Sequence, residues 1–290
     1  MIEFCLFPSL KMLIISGLAV SDQCSLLTMI WLSICLNPLF YHNELPFDPR
    51  DIMHVTAGMP HIIFVKIATF VTAFITFERC LCIVVPLKVK TIITPRRTKI
   101  IIISIYVVIA VLMTPLFLGN RLEWVFDFTR NVTILKTTFT AERDMLDAIT
   151  FLIPGVFATT SSFIFVICCT IILTVKLNSK TKWRQVTAAK SARPAEGVGV
   201  KDQKVVKMVT FIAVIFIVCT LPSTLLFLYM MIDPSFRIDD RVYRNLYRAL
   251  WSSSYLIETI NSSVNIFVYL KMSSKYRAVF METFWNKKEK

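Results

Sequence analysis

The hydrophobic positions of this chain gather into six long blocks, near residues 10 to 37, 54 to 83, 99 to 119, 147 to 176, 204 to 232 and 245 to 270, separated by polar connectors. At about 1.5 Å of rise per residue, each block can cross a hydrocarbon core of about 30 Å as a helix, with length to spare for tilt. None alternates polar and apolar residues as a barrel strand does. The pattern predicts an all-α fold, a polytopic bundle of membrane-spanning helices with six visible spans.

Composition supports the membrane. Hydrophobic residues make up 56% of the 290, and the mean hydropathy of +0.65 exceeds what a soluble core requires. The opening MIEFCLFPSLKM has an early acid, a proline before its apolar run and no small-residue cleavage site, so the first span is expected to stay in the mature chain.

The net charge of +13 raises the question of nucleic acid, but the basic residues sit in the connectors, where charge sets orientation. Connectors on one side hold nine Lys and Arg and those on the other side twenty, which places the second set in the cytoplasm and, with six spans, both termini with it. Asn131-Val132-Thr133 then lies on the lumenal side as a glycosylation sequon. Asn261-Ser262-Ser263 also fits that pattern, but inside the last span it is structural.

The eight cysteines lie in or beside the spans, so no extracellular disulfide framework is implied. They fit small packing residues, with Cys5 a candidate for palmitoylation. Residues 177 to 203, including TKWRQVTAAKSARPAEG, are expected to form a flexible basic cytoplasmic loop. Residues 271 to 290 place Tyr276, Phe280 and Phe284 at steps of four, which suits a short amphipathic helix on the inner membrane face. The chain carries no HExxH, GxSxG, CxxC or glycine-rich phosphate loop, so no enzyme class is indicated and no metal is expected. His54 and His61, seven apart, are expected to be solvated or packed rather than metal ligands.

Polar groups inside the spans are expensive and ask for a partner or a function. Asp22 lies near the middle of the first span, and NSSVNIFVY in the last holds Asn261, Ser262 and Asn265 within about one helical turn. Together these four suit a hydrated site for a small cation, or a polar network that packs helices. Lys66 in the second span and Glu258 in the sixth suit a pair with each other or with a ligand, the alternative being snorkelling or backbone contacts. Pro222 removes a backbone hydrogen bond from the fifth span and is expected to kink it.

FERCLCIVVPL, residues 77 to 87, closes the second block with an acid, an arginine and a later Pro-Leu. It resembles the third-helix end of rhodopsin-like (class A) G-protein-coupled receptors. LAVSD resembles the second-helix motif of that family, giving Asp22. FIVCTLP resembles the sixth-helix motif, giving Phe216, Cys219 and Pro222. NSSVNIFVY resembles the seventh-helix motif, giving Asn261, Ser262, Asn265 and Tyr269, and the amphipathic tail resembles helix eight. The wording ERCLC, PLKVKTIITPRRT and KWR is similar to invertebrate, especially molluscan, chemosensory-type receptors near the FMRFamide and neuropeptide receptors.

The resemblance spans essentially all of residues 1 to 290 as one seven-helix domain but begins at the second helix. The first is therefore expected to be missing, through an incomplete gene model or a true six-span variant. Departures from the family pattern are Thr220 where a switch tryptophan usually stands, Ile266 for a proline, Ala68 for a cation-site serine, and both cysteines of the usual outer disulfide, with His54 near one of them. These bear on sodium binding and on the usual switch.

The resemblance implies a plasma-membrane, multi-pass receptor with an extracellular peptide or small-molecule ligand, a heterotrimeric G protein and membrane lipid as partners, and no nucleic acid. It implies that Arg79 is held by Glu78 and Asp202 at rest and turns toward Tyr269 on activation, while Ile83, Pro86 and Leu87 pack against the G protein. A six-span solute carrier is the alternative, but its threefold repeat is not present, and a channel would need an arginine ladder or filter motif. A non-signalling receptor remnant is the third reading.

Overall fold

In a computed structural model the chain folds as a helical membrane bundle; residues 8–41, 45–128, 131–190, 198–233, 235–236, 242–272, 277–278 and 281–282 are described. Ten α-helices occur among these residues. The first is α1 (Pro8–Leu36), followed by the short α2 (Pro38–Tyr41). Next, α3 (Pro49–Met53), a π-helical turn (His54–Gly58) and α4 (Met59–Val84) join into one continuous rod. The short α5 (Val89–Ile92) leads to α6 (Pro95–Gly119). A second rod joins α7 (Arg143–Thr150), a π-helical segment (Phe151–Phe157) and α8 (Ala158–Lys190), and α9 (Val198–Ile232) and α10 (Arg244–Met272) complete the bundle.

Each of the six expected apolar blocks falls inside one long helix or rod. Helix starts are set by local chemistry. Asp48 Oδ1 accepts from the Arg50 N–H at 3.0 Å with Pro49 in the first turn, and Thr94 Oγ1 accepts from the Arg97 N–H at 3.4 Å with Pro95 there. Each cap satisfies an orphan donor, and a proline at that position has no N–H to lose.

The rod Pro49–Val84 is the centre of the bundle. Its apolar window is 67% buried, against 22–44% for the four other spans that are apolar over a full membrane thickness. Those four show much apolar surface outward, as Ile100, Ile103, Val107 and Val111 do along α6, which suits helices whose solvent is lipid. The sixth long helix, α10, is less apolar because Glu258, Asn261 and Ser262 are buried on its inner face.

Two features depart from the sequence expectation. A hairpin of β1 (Asn120–Asp127) and β2 (Val132–Phe139) stands in a connector for which no strand was expected; it pairs antiparallel from Asn120 with Phe139 to Asp127 with Val132. It rests on α3 and the segment before it: the Leu135 N–H donates to the Pro46 carbonyl at 2.8 Å and Thr137 Oγ1 donates to the Asp51 carbonyl at 2.7 Å. The other departure is the basic loop, since α8 continues to Lys190 and α9 begins at Val198. TKWRQVTAAK is polar, but Lys, Arg, Gln and Ala are good helix formers, so polarity there marks water and not loss of helix.

Candidate functional site

The polar residues of the first and last helices meet. Asn265 Nδ2 on α10 donates to Asp22 Oδ2 on α1 at 2.9 Å, and the Ser262 hydroxyl also interacts with that carboxylate. Asp22 is 5% exposed, Asn261 and Ser262 are buried, and Asp22 Oδ1 has no hydrogen-bond partner among the described residues. A buried acceptor oxygen in this state is costly and calls for a further donor or a counter-charge. Ala68, also buried, offers no oxygen ligand there.

At the opposite end of the central rod, Arg79 Nε lies 3.6 Å from Glu78 Oε2, with Glu78 almost fully buried. The chain leaves the helix at Val85, whose N–H caps onto the Leu81 carbonyl, and Leu87 then projects with 93% of its surface exposed. Pro86 is exposed with it, whereas Ile83 is buried. The expectation that Ile83 packs against a partner is corrected for this arrangement: Ile83 is still on the last turn of α4 and is buried, whereas Pro86 lies past the helix end at Val84. The side chains of Asp202, Ile266 and Tyr269 lie outside the described residues, as do Cys5, Tyr276, Phe280 and Phe284.

Around Pro222 in α9, hydroxyls satisfy the backbone. Thr220 Oγ1 donates to the Phe216 carbonyl at 2.5 Å, while Ser223 and Thr224 donate to the Thr220 carbonyl at 3.1 and 2.9 Å. The carbonyl that Pro222 leaves without its N–H donor is that of Val218, four residues before, and these bonds reinforce the turns on either side of it. Phe216 is buried edge-on to Phe163 of α8 at 5.5 Å, and Cys219 is buried beside that layer.

Lys66 and Glu258 do not pair directly. Lys66 Nζ donates to Thr159 Oγ1 and to the Gly155 carbonyl at 3.3 Å, and sits 5.0 Å from the centre of the Phe227 ring. Glu258 Oε2 instead lies 3.4 Å from His61 Nε2. Lys66 and Glu258 interact only electrostatically, across a greater distance. The reason is rotational: five residues on a helix turn a side chain by about 140°, so His61 faces α1 and α10 while Lys66 faces the π-helical segment and α8.

Above these sealed charges a narrow cleft opens between the outer helix ends. His54, Arg143, Asp147, Phe227, Trp251 and Tyr255 are among its walls. Arg143 Nε is 3.3 Å from Asp147 Oδ2, one helical turn apart and both largely buried, and the guanidinium stacks 3.9 Å from the Phe139 ring centre. Phe227, Trp251 and Tyr255 form a continuous aromatic wall, with ring centres 5.0 and 5.4 Å apart. Neither Lys66 nor Glu258 lines the cleft, so the pocket expected from those two residues is corrected to this set. The Arg143–Asp147 spacing of four was the available sequence signal. Nothing in the sequence singled out the aromatics.

A buried central rod, a polar interior between the first and last helices, an outer cleft and an inner acid–arginine pair define a polytopic membrane receptor. Compared with known families, residues 9–269 match the 7 transmembrane receptor (rhodopsin family), and the chain belongs to that family. It is therefore a rhodopsin-like G-protein-coupled receptor and not an enzyme, a multi-pass protein of the plasma membrane, whose general partners are an extracellular ligand and a G protein. The solute-carrier and channel alternatives fall with that match.

Proposed function

We propose that this receptor binds a peptide or a chemosensory small molecule in the outer cleft and transmits that event along the central rod to a heterotrimeric G protein. The observation that carries the reading is that one rod, Pro49–Val84, has His54 in the cleft wall near one end and the Glu78–Arg79 pair at the other. The aromatic wall offers flat apolar contact and a face for a cation, and the Arg143–Asp147 pair offers a donor fork and an acceptor. That combination suits an amphiphilic ligand with aromatic and polar groups.

At rest Arg79 is held by Glu78 and, in this reading, by Asp202 at the base of α9. Ligand shifts the balance only by binding one state better than the other. In the active state the helix bearing Pro222 swings out, with Phe216, Cys219 and Thr220 as its switch layer. Arg79 turns toward Tyr269, and Asn265 exchanges partners. Pro86 and Leu87 contact the G protein, beside the amphipathic segment at 271–290. The orphan Asp22 oxygen, with Asn261, Ser262 and Asn265, is the place for Na⁺, and Asn131 at the exposed hairpin turn carries a glycan.

Cells expressing the chain with a promiscuous G-protein α subunit, challenged with peptide and small-molecule collections, test this reading through a calcium signal. The expected result is a ligand whose response is lost in Trp251→Ala at matched surface level. A ligand whose response survives both Trp251→Ala and Arg143→Gln overturns the cleft. Asp202→Ala is expected to raise basal signalling, and an unchanged basal level would remove the Asp202 latch.

A further inference from the structure

His61 is fully buried where α1, α4 and α10 meet, and both of its ring nitrogens face oxygen. Nδ1 lies 3.2 Å from the Ser25 carbonyl and 3.2 Å from the Ser25 hydroxyl on α1. Nε2 lies 3.4 Å from Glu258 Oε2 on α10, within ion-pair range but outside good hydrogen-bond alignment. A carbonyl and a carboxylate can only accept. A neutral imidazole has one N–H: it can donate to Glu258 while the Ser25 hydroxyl donates to Nδ1, but it then gives nothing to the Ser25 carbonyl, which accepts from Thr28 Oγ1 at 2.6 Å, whereas the doubly protonated ring donates to carbonyl and carboxylate together.

We propose that His61 is a proton-binding site, and that the bound proton clamps α10 to α1 and α4 by letting one ring donate to the Ser25 carbonyl and the Glu258 carboxylate together. Histidine is the side chain suited to change charge across physiological pH, so the clamp makes the arrangement of these helices depend on proton concentration. The groups around it are accounted for from each element. On α1 the neighbours are the hydroxyls of Ser25 and Thr28, with Asp22 one turn away and engaged by Asn265. On α10 they are Glu258 and Tyr255, whose ring stands edge-on to the imidazole at 5.0 Å. Cys219 on α9 and Lys66 on α4 both feel the Glu258 charge, and the Lys66 ammonium is held by Gly155, Thr159 and the face of Phe227. His54 lies about two turns above, near Gly58. Tyr255 also walls the cleft, which puts the clamp one side chain away from whatever occupies it.

The sign follows from the contacts. The clamp needs the second ring proton, so it strengthens as pH falls and weakens as pH rises. The test is the thermal unfolding midpoint of the purified chain in lipid nanodiscs at pH 5.5 and pH 9, a readout that needs no ligand and no G protein. The expected midpoint is about 2–4 °C higher at pH 5.5. That difference is expected to vanish in His61→Gln and to vanish or reverse in Glu258→Gln, while His54→Gln keeps it. An acid-side rise that survives His61→Gln, or no rise in the unaltered chain, overturns the clamp. If His61→Gln gives too little folded protein, Glu258→Gln decides alone: an undiminished rise in that variant overturns the proposal.

Discussion

Replacing Asn265 by alanine removes the hydrogen bond that ties α10 to α1 at the middle of the membrane. The donor lies 2.9 Å from Asp22 Oδ2, the carboxylate is 5% exposed, and Oδ1 already has no partner among the described residues. A hydrogen bond to a charged group contributes about 1.5–3 kcal/mol, and a buried acceptor left short is at the upper end of that range. Asn265→Ala should therefore destabilise the chain by about 2–3 kcal/mol, lowering its unfolding midpoint by about 5–10 °C. The partner change Asp22→Asn makes the acceptor neutral. On that background the loss of Asn265 should cost only about 1 kcal/mol. A double-mutant cycle in nanodiscs, followed by thermal and denaturant unfolding, should thus give a coupling of about 1–2 kcal/mol. Losses that add to within about 0.5 kcal/mol would refute the pairing.

Four other outcomes follow from particular contacts. Gly155→Ala places a methyl 3.2 Å from Phe227 Cγ and 3.3 Å from the Thr150 carbonyl, so it should cost about 1–3 kcal/mol in unfolding and disturb the cleft wall. Thr159→Val strips an acceptor from the buried Lys66 ammonium and should destabilise by about 2 kcal/mol, with Thr159→Ser restoring most of it. Leu87→Ala should leave the unfolding midpoint within about 1 °C, because the side chain is exposed, yet weaken G-protein activation; a full response in that variant would count against the docking loop. Asn131→Gln should remove the mobility shift that glycosidase treatment produces on protein from eukaryotic cells.

The helical scaffold was legible because lipid leaves no choice: a backbone in hydrocarbon must satisfy itself, so long apolar blocks had to be helices. The Asp22–Asn265 contact was legible through motif order, since those residues were placed together before any geometry. The hairpin was not. Leu122, Trp124 and Phe126 alternate in β1, and β2 has the β-branched run of Val132, Thr133 and Ile134, but the connector was weighed for its charge and its sequon. The partner of Glu258 was missed because pairing was judged by depth along the membrane, when rotation about the helix axis decides it. His61 precedes Lys66 by five residues and so faces α10 where Lys66 does not. The cleft aromatics carry no motif, and only packing brings Phe227, Trp251 and Tyr255 to one wall.

The central claim, that this chain transmits to a G protein through Arg79, is tested most directly by nucleotide exchange. Purified chain in nanodiscs is mixed with purified heterotrimers from each major G-protein class, and GTP-analogue uptake is followed against empty nanodiscs. Uptake above the blank with at least one class, abolished in Arg79→Ala at equal folded receptor, is the predicted result. Uptake equal to the blank with every class, or uptake that survives Arg79→Ala, would contradict it.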